Sequence, residues 1–219
     1  MRATMLTLPQ RSPEWIAARL GRVTGSTADA MQAKGRGNTE SAGRRNLRVR
    51  LALERLMGVS QEDSYASRDM QRGIELEPEA FREYEAETGN VARPCGFLAL
   101  PDLLAGCSLD AQVDHFRGIV ELKVPKSATH LEYLRGGVPL DYLRQCQHNL
   151  WISEAEWCDF VSFDPRFPAE LRLKITRIYM TPAERLAYEL VVKMFLREVD
   201  AEVDEIATMA RLARGRVAA

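Results

Sequence analysis

Residues 118–125, GIVELKVP, restrict the fold of this chain more than any other stretch, because two charged side chains interrupt an apolar run. Residues two apart in a β-strand point to the same face. A strand here therefore carries Glu121 and Lys123 together on one face. The opposite face, which we expect to be the core face, then holds Val120, Leu122 and Val124. The pattern predicts a strand that presents a charged pair at a defined place.

Asp110 ends a second strand-like run, AGCSLD, eleven residues before Glu121. If the two runs pair like a hairpin, Asp110 approaches Glu121, and Asp-x10-Glu-x-Lys matches the PD-(D/E)XK nuclease signature. Paired carboxylates bind hard cations such as Mg²⁺ through oxygen. Such a cation polarises a phosphodiester and lowers the pKa of a bound water, which Lys123 can orient or help deprotonate. By itself the spacing favours a simpler interpretation, an edge strand whose solvent face carries Glu121 and Lys123 as a cross-strand pair.

Two predicted helices offer further polar side chains. An acidic helix over residues 69–88 carries Glu77, either as an additional carboxylate for the metal site or as part of a solvated acidic face. Pro78 either disturbs this helix or begins a fresh turn. A helix opened by Pro139 places Tyr142 and Gln145 three residues apart on one face, which on its own is more typical of a protein surface than of a site.

The remaining pattern predicts one α/β domain over residues 1–219, with a central mixed sheet flanked by helices. Ser12, Pro13 and Gly21 mark the start and end of a short helix, and a second helix follows with Ser26 or Thr27 as its cap. Strand-like runs are FLAL, AGCSLDAQVD, GIVELKVP, WCDFVSFDP and ELRLKITRIYM. A long C-terminal helix is expected over roughly residues 182–213. Its apolar positions are Leu186, Leu190, Met194, Leu196, Val199, Val203 and Ile206.

Composition excludes several classes of protein. The net charge of −1 argues against a basic nucleic-acid coat but not against a nuclease, whose clustered acids offset basic patches elsewhere. The N-terminus lacks the apolar stretch of a signal peptide and no apolar run is long enough to span a membrane, so we expect a cytoplasmic protein. The four cysteines are scattered and the three histidines lack metal-ligand spacing, which predicts reduced thiols and no zinc site.

Seven sequence blocks occur in an order that resembles the phage lambda exonuclease family, the viral-type alkaline exonucleases of the PD-(D/E)XK superfamily. The blocks are EWIAARLGRVTGS, RGIELEPEAFREYEAETG, GCSLDAQVD, GIVELKVP, YLRGG, DYLRQCQHNLW and FVSFDPRF, spanning about residues 12–167. This resemblance is much more specific than the Asp-x10-Glu-x-Lys spacing. It reverses the preference for an edge strand.

The resemblance implies a metal site with a catalytic lysine. Asp110 and Glu121 correspond to the metal ligands, the backbone carbonyl of Leu122 completes the shell, and Glu77 is an auxiliary acidic ligand. Lys123 corresponds to the catalytic lysine beside the attacking water. The implied cofactor is Mg²⁺, with two ions bound and Mn²⁺ as an alternative.

Further residues are assigned by the same resemblance. Gln145, with Tyr142 adjacent, corresponds to the support of the nucleophile and the lysine. Arg19, Ser26 and Ser108 correspond to a pocket for the 5′-phosphate of DNA, for which a guanidinium and hydroxyl groups are suited. Without the resemblance, Arg19 is an ordinary surface arginine and Ser26 a helix cap.

The implied function is a Mg²⁺-dependent 5′-to-3′ exodeoxyribonuclease that acts on double-stranded DNA ends, releases mononucleotides and leaves a 3′ overhang for strand annealing. The resemblance also implies a trimeric ring that threads DNA and a single-strand annealing protein as partner. Alternatives are a structure- or sequence-specific endonuclease with the same metal site, and a non-catalytic DNA-binding subunit. The Arg-rich helix from Arg44 and the 34–43 loop are either channel elements or a solvated face.

One block departs from the family pattern. The family shows Ser-Pro-Asp-Gly around the first aspartate, whereas this chain reads SLDAQ. The aspartate is retained, so we expect an altered turn over residues 111–117 and not a lost ligand. Asp114 in this segment is expected to be a turn residue, with an outer-shell acid as the alternative.

Overall fold

Two β-sheets and seven α-helices form the part of the chain that the computed structural model describes, residues 3–37, 39–61 and 68–217. The helices are α1 (Pro13–Arg19), α2 (Ala28–Gln32), α3 (Ala42–Met57), α4 (Arg68–Thr88), α5 (Ser127–Gly136), α6 (Leu140–Ser153) and α7 (Pro182–Val217). The strands are β1 (Thr4–Leu6), β2 (Ala92–Arg93), β3 (Phe97–Ala99), β4 (Gly106–Ser108), β5 (Ala111–Val113), β6 (Gly118–Lys123), β7 (Trp157–Phe163) and β8 (Leu173–Tyr179).

The larger sheet is mixed, as the sequence predicts. Its strand order is β2-β5-β6-β7-β8, with β6 and β7 parallel and the other neighbours antiparallel. A smaller antiparallel sheet has the order β1-β3-β4. The predicted α/β class with a mixed central sheet, flanking helices and a long C-terminal helix is confirmed.

The run AGCSLDAQVD does not form one strand. Its first part is β4 in the small sheet and its second part is β5 in the large sheet, so Leu109 and Asp110 lie where the chain crosses between sheets. The hairpin that follows contains Asp114, His115 and Phe116 at positive φ, and Arg117 N donates to Asp114 O at 3.0 Å. Asp114 is therefore in a turn, as expected.

Strand β6 lies in the centre of the large sheet, and both its faces are buried. Ile119 packs in one apolar cluster, whereas Val120 and Leu122 pack in a second cluster with Tyr84 of α4. The edge-strand interpretation is therefore wrong. The expectation of a single core face is also wrong, because the face that carries Glu121 is covered as well.

Helix α7 begins at Pro182 as predicted and continues to Val217. Its buried side differs in the first half from the prediction: Leu186 and Met194 are 64% and 62% exposed, and Leu190 is also exposed. The side chains buried instead are Tyr188, Val192 and Phe195, followed by the predicted Leu196 and Val199. The helix carries apolar residues on two sides, so periodicity alone cannot identify the side that packs.

Local signals place the other helices well. Ser12 Oγ accepts a hydrogen bond from Trp15 N at 3.1 Å and begins α1, as predicted. Helix α4 continues through Pro78 and ends before Gly89, which has a left-handed φ of 69°. In the described part of the chain, no helix is long and apolar enough to cross a membrane.

Candidate active site

The carboxylate of Glu121 is the most buried acidic group of the predicted site. Glu121 is 1% exposed and sits in the middle of β6, where the sheet and α6 enclose it. Its Oε1 accepts hydrogen bonds from Lys123 Nζ and, at 2.6 Å, from Gln145 Nε2. Its Oε2 accepts from Asn149 Nδ2 at 3.0 Å. A buried anion needs such partners because water cannot solvate it.

Asp110 lies beside Glu121 because of the pairing between β5 and β6. Ala111 pairs with Val120, so one further step of the antiparallel register places Asp110 opposite Glu121. Asp110 Oδ2 accepts from the backbone N–H of Leu122 at 2.7 Å, which fixes the carboxylate against the strand. The structure thus brings the two acids together, as the sequence predicted, but by a different pairing. The strand of the run AGCSLD is β4 in the smaller sheet, and the strand that pairs with β6 is β5, which begins after Asp110.

Helix α6 supplies the polar wall opposite this pair. Gln145 and Asn149 are one helical turn apart and both donate to Glu121. Tyr142 lies on the same side, with the centre of its ring 5.0 Å from Lys123 Nζ. This helix face belongs to the site, so the interpretation of Tyr142 and Gln145 as surface residues is wrong.

An open cleft of about 350 Å³ lies in front of these groups. Asp110, Lys123 and Tyr142 line it from the sheet and α6, Glu77 lines it from α4, and Arg11 lines it from the turn before α1. Acidic and basic side chains from parts of the chain that are distant in sequence therefore meet at one opening. A phosphodiester entering the cleft would face all five side chains.

The ionisation of the buried pair reflects its surroundings. Burial raises the pKa of Glu121 to about 7, and the neighbouring Asp110 carboxylate adds to the rise against the opposing effect of Lys123. Burial raises the pKa of Asp110 as well. Burial opposes the charge of Lys123, but the two carboxylates outweigh it and hold the Lys123 pKa above its usual value. Lys123 is consequently an ammonium group at neutral pH.

The residues present fit a hard divalent cation. Asp110 and Glu121 are two adjacent, desolvated carboxylates with one neighbouring positive side chain, so a bound cation would stabilise their charged forms. Within the described residues, no three His, Cys, Asp or Glu side chains converge closely enough to form a metal cluster. Glu77 is exposed on the wall of the cleft. Partial desolvation and the neighbouring Asp110 raise the Glu77 pKa. Its role as an auxiliary ligand stays a prediction.

The three residues predicted to bind a 5′-phosphate also come together. Arg19 Nη1 donates to Ser108 Oγ and Arg19 Nη2 to Ser26 Oγ, each at 3.4 Å. Trp15 Nε1 donates to Ser108 Oγ at 3.1 Å, and the guanidinium of Arg19 stacks 4.3 Å from the centre of the Trp15 ring. We call Trp15, Arg19, Ser26 and Ser108 the anion pocket. A guanidinium and two hydroxyls in this arrangement are suited to a phosphate group.

Ser26 is available to this pocket because it does not cap a helix. Residues Gly25–Thr27 form a 3₁₀ turn, and Thr27 is the N-cap position of α2. The turn is closed by hydrogen bonds between Thr24 and Thr27, from Thr24 N to Thr27 Oγ1 and from Thr27 Oγ1 to Thr24 O, both 2.9 Å.

The 3₁₀ turn connects the anion pocket to the carboxylate pair. Gly25 lies so close to α6 that an added Cβ would overlap Asn149 Oδ1 and would approach Gln145 Cγ at 3.3 Å. Only glycine permits this approach. The turn that carries Ser26 thus rests on the two amides that hold Glu121.

Two members of this arrangement were missed from the sequence. Asn149 had a usable signal, since it follows Gln145 by four residues on the same helix face. Trp15 was not identified from the sequence as a site residue, whereas its indole N–H donates to Ser108 and its ring supports Arg19. No sequence spacing indicates that contact, because 93 residues separate Trp15 from Ser108.

Other predicted features lie away from the site. His148 and His130 are buried and hydrogen bonded: Nε2 of His148 donates to Gly106 O at 2.9 Å and that of His130 to Leu171 O at 2.8 Å. Both are structural parts of the core.

The Arg-rich helix α3 is neither simply solvated nor open to a ligand along its length. Arg44 pairs with Glu198 at 2.6 Å, Arg48 pairs with Glu202, and both contact Glu40. These ion pairs join α3 to α7, which argues against Arg44 and Arg48 as channel residues.

Comparisons with known proteins agree with this architecture. A family model described as the YqaJ-like viral recombinase domain matches residues 14–156. An alkaline exonuclease from Laribacter hongkongensis, LHK-Exo, is 34% identical, with a TM-score of 0.80 over 92% of this chain and 100% of that one. Its complex with dAMP gives a TM-score of 0.81 over the same shares.

A phage-related exonuclease from Haemophilus somnus 129PT, 14% identical, has the same fold with a TM-score of 0.63 over 86% of this chain and 96% of that one. No match is found among curated proteins. The chain belongs to the YqaJ-like viral recombinase family, and the resemblance to the lambda exonuclease family is confirmed. The prediction of a nuclease enzyme of the exonuclease class is confirmed at that level.

Proposed function

We propose that this protein is a Mg²⁺-dependent 5′-to-3′ exodeoxyribonuclease that acts on double-stranded DNA ends. The observation that carries the proposal is that Asp110 and Glu121 lie together beside Lys123. The anion pocket, which suits a terminal phosphate, is joined to this pair through the contact of Gly25 with α6. The family membership supports the same activity.

The roles of the side chains follow from their contacts. A bound Mg²⁺ would supply Lewis acidity toward the scissile phosphate and lower the pKa of a water nucleophile. Asp110, Glu121 and the carbonyl of Leu122 are the groups that would hold it. Lys123, protonated at neutral pH, orients the attacking water by hydrogen bonding and stabilises negative charge as it develops. A cation bound at Asp110 and Glu121 would offset the two carboxylates that raise the Lys123 pKa, so the same side chain also suits the deprotonation of the water that the sequence allowed.

The amides of α6 keep the carboxylate in place. Gln145 shares Glu121 Oε1 with Lys123, so it fixes the direction in which Lys123 Nζ points. Tyr142 packs its ring against the same ammonium group. Together they hold the lysine toward the cleft, where a nucleophile would be bound.

The anion pocket provides the polarity of digestion. We infer that Arg19, Ser26 and Ser108 bind the 5′-terminal phosphate of the strand being digested, while the neighbouring phosphodiester lies in the cleft. Each cut then releases a mononucleotide and leaves a 3′ overhang. The similar exonuclease was crystallised with dAMP, which supports a site that accommodates a deoxynucleoside monophosphate.

The assembly and partners belong to the same proposal. By resemblance to the family, three copies form a ring around the DNA, and the 3′ overhang passes to a single-strand annealing protein. A ring needs a basic channel and not a basic chain, which reconciles DNA binding with a net charge of −1. The protein acts in the cytoplasm of a bacterial or phage-infected cell.

Digestion of linear duplex DNA labelled at either the 5′ or the 3′ terminus tests this function. We expect Mg²⁺-dependent release of the 5′ label at early times, retention of the 3′ label, and no release of either label once the metal is chelated. Asp110→Asn and Lys123→Ala should abolish release. Gln147→Ala, on the far side of α6, is the matched control and should leave it unchanged. Early release of the 3′ label, or digestion without a divalent cation, would overturn the proposal.

A further inference from the structure

Arg11 occupies a backbone conformation that arginine disfavours. Ser12 N donates to Pro9 O at 3.1 Å, which closes a four-residue turn with Arg11 as its third residue. Arg11 has a φ of 69°, the left-handed value that glycine or asparagine normally adopts at this position of a turn. A side chain retained at such a conformational cost points to a task outside the backbone.

The place of Arg11 suggests what that task is. Arg11 is exposed and lines the cleft together with Glu77, Asp110 and Lys123. Its turn immediately precedes α1, and the last residue of α1 is Arg19 of the anion pocket. One short segment therefore supplies a guanidinium to the cleft at its start and another to the anion pocket at its end.

The charges of the cleft make a second cation useful. Asp110 and Glu121 are acidic, Glu77 adds a further carboxylate at the wall, and the Lys123 ammonium is already hydrogen bonded to Glu121. A cation held by Asp110 and Glu121 would offset their charge, whereas Glu77 at the wall repels a phosphodiester brought into this opening. An arginine fork can hold a phosphate through two parallel hydrogen bonds and offset this repulsion.

We propose that Arg11 is a substrate-binding residue that contacts a backbone phosphate of the digested strand at the mouth of the cleft. This role rests on the proposed exonuclease function and deepens it. Arg11 and Arg19 then hold the strand at two points, with the scissile bond between the anion pocket and the turn. The competing explanation, in which Arg11 serves only to neutralise Glu77, is an outcome of the test.

The left-handed conformation of Arg11 allows the effect of its charge to be separated from the effect of backbone strain. Arg11→Gly removes the charge and also relieves the left-handed strain, so this variant should be at least as heat-stable as the unaltered protein. Arg11→Gln removes the charge and keeps the strain, whereas Arg11→Lys keeps the charge without the fork. Glu154→Gly is the control for the removal of a charged side chain from a left-handed position away from the cleft, because Glu154 follows α6 at a φ of 60° and is not among the residues that line the cleft.

Binding to a short 5′-phosphorylated duplex is measured by fluorescence anisotropy with Ca²⁺ in place of Mg²⁺, across a series of salt concentrations. Arg11→Gly and Arg11→Gln should each bind about tenfold more weakly, and the slope of log K against log salt should fall by about 0.9, the value for one phosphate contact. Arg11→Lys should retain most of the slope, and Glu154→Gly should match the unaltered protein. With Mg²⁺, the Arg11 variants should show a raised KM and a largely preserved kcat.

The results separate this role from the proposed function. If the unaltered protein binds and digests duplex ends but Arg11→Gly and Arg11→Gln bind with unchanged affinity and salt slope, the role of Arg11 is overturned and the exonuclease stands. A lowered kcat with unchanged KM in both variants would assign Arg11 to the neutralisation of Glu77 and overturn substrate binding. If the unaltered protein neither binds nor digests duplex ends, the exonuclease itself is overturned, and the role of Arg11 with it.

Discussion

Replacement of Asn149 by alanine should raise the pH at which the protein begins to bind Mg²⁺. Asn149 Nδ2 donates to the buried Oε2 of Glu121 at 3.0 Å, and this bond stabilises the ionised carboxylate. A hydrogen bond to a charged group contributes about 1.5–3 kcal/mol, and a pKa unit corresponds to roughly 1.4 kcal/mol. The Glu121 pKa, now about 7, should therefore rise by about 1–2 units in the variant.

The upward direction of this pH shift follows from the competition of protons and Mg²⁺ for the Glu121 carboxylate. Mg²⁺ binds ionised carboxylates, so its stabilising effect is absent when Glu121 is protonated and appears as the pH rises through the Glu121 pKa. The measurement is the difference between the melting temperatures with and without Mg²⁺ from pH 6 to about pH 10. Because each pH supplies its own metal-free reference, a general loss of stability in Asn149→Ala cancels.

Gln147→Ala serves as the control, since Gln147 lies about 200° around α6 from Gln145. We expect the midpoint of the Mg²⁺ effect to move upward by about 1–2 pH units in Asn149→Ala and to stay in place in Gln147→Ala. Equal midpoints in all three proteins would refute the reasoning that Asn149 holds the metal-binding carboxylate in its charged form.

Two further predictions concern the packing around the site. Gly25→Ala should lower stability by about 1–3 kcal/mol and reduce nuclease activity, because its Cβ overlaps Asn149 Oδ1; urea unfolding checks this against Gly43→Ala, whose Cβ meets open space in α3, and equal stability of the two variants would contradict it. Burial lowers the pKa of His148 to about 4, from an ordinary value of 6.5, so the neutral form contributes stability that is complete above pH 6.5 and is lost as the pH falls toward 4. Unfolding free energies should show a loss of about 2 kcal/mol between pH 7 and pH 5 that His148→Gln removes, and an unchanged pH profile in that variant would contradict this.

Periodicity predicts those parts of the site that lie on one element. The alternation in β6 places Glu121 and Lys123 on the same face, and the helical spacing of Tyr142 and Gln145 gives them a common direction. These relations depend on local geometry alone, so they hold whatever the rest of the chain does.

Contacts between distant elements could not be predicted in this way. The charged face of β6 looked like a solvent face because its partner, α6, contributes amides in place of apolar side chains. The support of Arg19 by Trp15 and the approach of Gly25 to Asn149 depend on how α1 and the 3₁₀ turn sit against β4 and α6. Only tertiary packing decides these distances.

The exposed side of α7 illustrates the same limit. Leu186, Leu190 and Met194 follow a helical repeat as well as the buried Val192 and Phe195 do. Which repeat packs inward depends on the elements that α7 meets in the fold, and the spacing of apolar residues does not encode those contacts.

The rate of digestion of 5′-phosphorylated and 5′-hydroxyl duplex ends by the unaltered protein and by Arg19→Ala tests the central claim most directly. The claim is that the anion pocket presents a DNA end to the Asp110–Glu121 pair. The account predicts that the unaltered protein prefers the phosphorylated end, that Arg19→Ala loses this preference, and that closed circular duplex is left intact. Equal rates on both ends in the unaltered protein, or cleavage of the closed circle, would contradict it.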